Sequence, residues 1–84
     1  MTIDETFNRI EELHTLLKLF DVPYLIMFDY YSDTRRYFMV RPQEYDREAE
    51  THVFHSMEII EYQVNRLTKG LEIMPYYALP PALR

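Results

Sequence analysis

Cysteine is absent from the 84 residues, which excludes disulfides and thiolate metal sites and fits a reducing compartment. Glycine occurs once, at Gly70. That scarcity excludes any chemistry needing a glycine-rich loop around phosphates. The only serines are Ser32 and Ser56, and neither lies in a Gly-x-Ser-x-Gly pattern, so nothing points to a nucleophilic hydroxyl. No apolar run approaches the roughly 18 residues of a membrane span. The opening MTIDETFNRIEEL places acids where a signal peptide needs a continuous apolar block. A cytosolic, non-catalytic protein is the expectation. Basic residues are also in deficit, 9 against 14 acids, giving a net charge of −5 and a pI near 5.0. Such a balance favours solubility and argues against nonspecific affinity for nucleic acid.

What is abundant is aromatic and aliphatic mass. Aromatics make up 15% of residues and eight of them are tyrosine, a side chain suited to rims where an apolar body meets water. They concentrate between Pro23 and Pro42, in PYLIMFDYYSDTRRYFMVRP, where two apolar runs flank the polar break Ser32 to Arg35. This pattern predicts a β-hairpin. Two registers compete, and a slip of one residue turns a strand's side chains to the other face. A turn of Asp33 and Thr34 alone sets Tyr30 opposite Tyr37 and Phe28 opposite Met39. An odd loop sets Phe28 opposite Phe38 and Ile26 opposite Val40, which sorts charge from core better and is preferred. It leaves Leu25, Met27, Tyr31, Tyr37 and Met39 on a second face that something must cover, since a wet face should be polar. With no glycine in the turn, the left-handed position falls to Asp33 or a neighbour.

A helix is expected on each side. Thr2 to Glu5 has capping-box spacing, and Ile3, Phe7, Ile10, Leu13, Leu17 and Phe20 follow on one stripe until Asp21-Val22-Pro23 stops it. A second helix is predicted from about Gln43 to Lys69, roughly 40 Å long at 1.5 Å per residue. Tyr45, Ala49, Val53, Met57, Ile60, Val64, Leu67 and Leu71 form its stripe, Phe54, Ile59 and Tyr62 form a second apolar row, and Gly70 closes it. Residues 1–70 thus form an α-β-β-α domain of the α+β class, and 71–84 an apolar arm. Three prolines in the arm argue against a helix and leave an edge strand near Leu71 to Met74, packed on its own chain or a partner.

Each candidate for chemistry has a plainer reading beside it. Glu11 and His14 have Glu-x-x-His spacing, and Glu48, His52 and His55 can share a helix side, but a carboxylate-bridged metal pair needs more ligands than these. No metal and no cofactor is assigned. Arg35, Arg36 and Arg41 near Tyr30 could hold a nucleotide or anionic metabolite through planar guanidinium forks and a stacking face. The plainer reading is that they keep a hairpin end soluble. The interaction reading draws on more residues: Leu25, Met27, Tyr31, Tyr37, Met39, Phe54, Ile59, Tyr62, Tyr76 and Tyr77 make more apolar surface than two helices and a hairpin should hide. The expected function is therefore an inhibitor or adaptor, of the kind phages and mobile elements carry, that occupies a partner protein's surface. Homodimerisation through the sheet or long helix is expected with it.

Overall fold

The computed structural model describes residues 2–31, 34–42, 53–71 and 73–83. Helix α1 runs from Ile3 to Leu19, strands β1 and β2 from Leu25 to Tyr31 and from Thr34 to Val40, a two-residue strand β3 from Val53 to Phe54, and helix α2 from Met57 to Thr68. Single turns of 3-10 helix follow at Tyr76–Ala78 and Pro81–Leu83. The described residues are of the α+β class: a three-stranded antiparallel sheet in the order β1-β2-β3, with α1 and α2 packed on one face.

The Thr2 cap forms as its spacing predicts, with the Thr2 hydroxyl accepting from the Glu5 N–H at 3.1 Å. Ile10, Leu13 and Leu17 are buried, whereas Ile3, Phe7 and Phe20 from the same stripe are exposed. Thr6 is fully buried instead, its hydroxyl donating to the Thr2 carbonyl and accepting from Arg35. The helix ends with Asp21 at φ 55, the Asp21 N–H on the Lys18 carbonyl and the Val22 N–H on the Leu17 carbonyl. This is the paired closure that usually takes glycine. Helix α2 ends the same way, with Gly70 at φ 79, the Gly70 N–H on Leu67 and the Leu71 N–H on Arg66.

Neither expected hairpin register occurs. Tyr31 pairs with Thr34, Asp29 with Arg36, Phe28 with Tyr37 and Ile26 with Met39. Thr34 and Arg35, expected in the turn, belong to β2, and a two-residue connection replaces the longer break. The expected backbone of Asp33 lies outside the described residues. The observed register sets Asp29 against Arg36 at 2.7 Å and Arg35 over the Tyr30 ring, so charged side chains meet complementary partners across the strands. It also gathers Ile26, Phe28, Tyr37 and Met39, together with Phe54 of β3, on the face that the helices cover.

The second helix is shorter than its stripe suggests, twelve residues instead of about 27. Val53 and Phe54 pair with Phe38 and Tyr37 as strand, and Ser56 is extended, its hydroxyl accepting from the Ile59 N–H at 3.2 Å. A β-branched and an aromatic residue beside a serine cap favour that break over helix. The expected helical stretch from Gln43 to His52 lies outside the described residues. Met57, Ile60, Val64 and Leu67 do form the buried stripe, joined by Ile59 and Gln63.

The arm returns to its own chain. Leu79 is buried, and Ile73, Met74 and Leu83 pack against the core. Leu71, Ile73 and Met74 are not strand; Gln63 of α2 supplies the backbone of Met74 with hydrogen bonds that a neighbouring strand would otherwise give. The prolines prevent a long helix but not single turns, and Pro81 opens one of them.

Candidate functional site

Among the described residues strand β1 is an edge of the sheet, and its backbone groups alternate between β2 and the open side. Ile26 shows which set points outward, because its N–H leaves the sheet and donates to His14 Nε2 at 2.8 Å. Ile26, Phe28 and Tyr30 therefore face the open edge, while Leu25, Met27, Asp29 and Tyr31 are spent on β2. Helix α1 runs beside this edge in the opposite sense, with Phe7 near Phe28 and His14 near Ile26. Between helix and edge lies a cleft of about 320 Å³ lined by Phe7, Ile10, Glu11, His14, Ile26 and Phe28. Phe7 meets Phe28 edge to face at 5.4 Å and stays half exposed; Tyr30 is 46% exposed at the far end.

Burial pulls His14 below its ordinary histidine value, so the ring is uncharged near neutrality. Since Nε2 accepts a hydrogen bond from the Ile26 N–H, the ring's own proton sits on Nδ1. That bond also commits the nitrogen that a metal would need. Among the described residues no group of three or more histidine and acidic side chains is placed to hold a metal ion. His55 is exposed, while Glu48 and His52 lie outside the described residues.

The expected interface residues divide. Tyr37, Met39, Phe54 and Ile59 are buried in the chain's own core, because the register turns Tyr37 and Met39 toward the helices and the β3 pairing carries Phe54 with them. They have no surface to give a partner. Tyr62 is held within the chain, its hydroxyl donating to the Met74 sulfur and accepting from Arg66. Leu25 and Met27 do lie on the sheet face away from the helices, with Phe38 and Val53 in the places expected of Tyr37 and Met39. Tyr31 ends β1, Tyr76 begins a 3-10 turn, and Tyr77 in the same turn is 78% exposed.

The expected ligand group is not assembled. Arg35 and Tyr30 stand together on the helix-covered face, whereas Arg36 is on the other face, over Phe38 and paired with Asp29. Arg41 lies over Tyr24 at the far end of the strand. Arg35 lines a second cleft, of about 410 Å³, with Tyr37, His55, Ser56, Met57 and Glu58. Glu58 brings an acid to that cleft.

A hairpin is expected to offer unpaired backbone groups at both edges; what sequence reasoning missed is the cleft that α1 makes beside one of them. The signal was His14, on the same side of α1 as Phe7 and Ile10, too polar for the stripe and placed beside the first outward amide of β1. Comparison with models of protein families, with curated proteins and with solved structures found no match to this chain in any of the three.

Proposed function

We propose that this chain is a small non-catalytic binding protein that occupies a partner protein's surface, as an inhibitor or adaptor does, and that it offers the outer edge of β1. The observation that carries this reading is a seven-residue edge strand whose outward backbone faces an apolar cleft. An extended segment laid along β1 would pair with Phe28 and Tyr30 and set its alternate side chains against Phe7 and Phe28. Glu11, on the cleft's rim, has no side-chain partner among the described residues, and the whole chain is acidic. The fitting partner is therefore a strand whose apolar side chains alternate with lysine or arginine.

Self-pairing is the second reading, because β1 can meet a second copy of itself antiparallel about Phe28, the two-fold arrangement commonest among oligomers. It brings no cation to Glu11, since Asp29 is the one charged residue of β1. The nucleotide or metabolite reading has less support, with Arg35 and Arg36 on opposite faces.

Selection of displayed random heptapeptides on the purified chain tests the proposal, followed by binding to Tyr30→Pro. Proline there removes an outward N–H and leaves the ladder to β2 intact. Enriched peptides that alternate apolar with basic residues and lose binding to Tyr30→Pro are the expected result. No enrichment, or binding indifferent to Tyr30→Pro, removes the reading. A dimer in native mass spectrometry that Tyr30→Pro dissociates replaces it with self-pairing.

A further inference from the structure

We propose that His14 is a proton-operated latch on the open edge of β1: uncharged, it holds the Ile26 N–H and closes that end of the cleft, and on taking a proton it lets go. The consequence for docking rests on the proposed use of the β1 edge; the latch itself does not.

Among the described residues, Ile26 alone of the three outward positions has its N–H taken by a side chain. An incoming strand that paired along the whole of β1 would need that N–H. His14 therefore competes with the partner for the first hydrogen bond of the seam. The competition depends on one lone pair. A neutral imidazole has an acceptor nitrogen, whereas imidazolium has two donors and none to accept with. Protonation thus replaces a 2.8 Å hydrogen bond by two N–H groups pointed at each other. Of the side chains that line the cleft with it, Phe7, Ile10, Ile26 and Phe28 offer the charged ring no acceptor, and Glu11 does.

Among the described residues, the charges that act on His14 are Glu11, which favours the cation, and Lys18, which opposes it. Both stand on α1. Strand β1 contributes to the cleft only apolar side chains, Ile26 and Phe28, and the donated amide. Once charged, His14 has Glu11 three residues away on the same helix face, a spacing at which helical side chains meet. The swing toward Glu11 opens the Ile26 end of the edge and neutralises the acid that would have drawn a basic strand. Acidification therefore lengthens the available seam and weakens its preference for basic side chains.

The test uses the full chain in solution, without any partner. Nitrogen NMR of the His14 ring gives the tautomer, and amide exchange gives protection at Ile26 as the ring titrates. The expected result is an Nδ1–H ring at neutral pH, and an Ile26 protection factor that falls roughly five- to tenfold on protonation, the scale of one neutral hydrogen bond. Met27 and Asp29, paired with β2, keep their protection. His14→Ala leaves Ile26 unprotected at both pH values, and if that variant does not fold the wild-type titration decides alone. An Nε2–H ring overturns the latch. So does Ile26 protection that ignores the titration, or is lost only together with Met27 and Asp29. Heptapeptides selected on the chain should bind across a longer stretch of β1 once His14 is charged; unchanged amide perturbation at Ile26 overturns the proposed control of docking. If no peptide binds at either pH while the latch measurements hold, the docking reading fails and the latch stands.

Discussion

The carboxamide of Gln63 and the backbone of Met74 exchange two hydrogen bonds, Nε2–H to the Met74 carbonyl at 3.3 Å and the Met74 N–H to Oε1 at 3.2 Å. Gln63 is fully buried in α2, so it acts as the strand partner that the C-terminal segment lacks. Leu79 and Leu83 follow it onto the core. Replacement by an apolar residue of similar size strands both half-buried Met74 groups, and leaving a donor or acceptor unmade away from water costs about 1–3 kcal/mol each. Gln63→Leu should lower unfolding stability by about 2–4 kcal/mol in urea melts. Limited proteolysis should cut the variant between Ile73 and Leu83 before the rest of the chain. A variant as stable and as resistant as wild type shows that the segment is held by its apolar contacts alone.

Two helix ends with one geometry and different residues invite a paired experiment. Asp21 holds φ 55 where glycine would sit without strain, and Gly70 holds φ 79 with nothing within 4 Å of a Cβ built on it. Asp21→Gly should therefore stabilise the fold by about 0.5–1 kcal/mol, and Gly70→Ala should destabilise it by about 1 kcal/mol through backbone conformation alone. Thermal melts measure both. Equal effects of the same sign would show that one of these closures does not form.

Acid should weaken the fold in a window set by His14. Its folded value lies below the ordinary 6.5 because of burial, so the unfolded chain takes up the proton first. Stability from this group is then full above the ordinary value, falls as pH drops toward the depressed folded value, and levels off below it. His14→Gln, which does not titrate, should flatten stability across that window while leaving the lower-pH loss from carboxylates in place. Urea melts at pH steps between 8 and 4 check it; a wild-type profile level across the window rules out a depressed His14.

Much of the scaffold could be read from the residues, for reasons that are local. Thr2 and Glu5 start α1, Pro23 keeps that helix from running on into β1, and Met57, Ile60, Val64 and Leu67 mark the buried side of α2 at helical spacing. The errors came from choices that local pattern leaves open. Spacing by threes and fours continues through Val53 and Phe54, and only the strand they find in β2 turns them into sheet. Register depends on loop length, and Thr34 and Arg35 look like turn residues until Arg35 is seen across from Tyr30. The candidate surface inherited that slip: Tyr37 and Met39 moved inside, and Phe38 came out. That a hairpin has unpaired edges follows from its being a hairpin, but which amides point outward, and that α1 lies beside them, depends on register and packing, so the cleft came into view only with the backbone.

The cross-strand pair Asp29 and Arg36 makes the register itself testable. Their oxygen and nitrogen stand 2.7 Å apart with both side chains nearly half exposed. An exposed pair of this kind contributes about 0.2–1 kcal/mol and weakens with salt. Asp29→Asn, Arg36→Gln and the double variant should therefore give a coupling of a few tenths of a kcal/mol at low ionic strength that fades at high salt. Exchanging the two, Asp29→Arg with Arg36→Asp, should recover most of what either single reversal loses. Under a register shifted by one or two residues Asp29 would face Tyr37 or Phe38, and reversal would recover nothing. Absence of both coupling and rescue at low salt contradicts the pairing, and with it the placement of Tyr37 in the core and Phe28 beside the cleft.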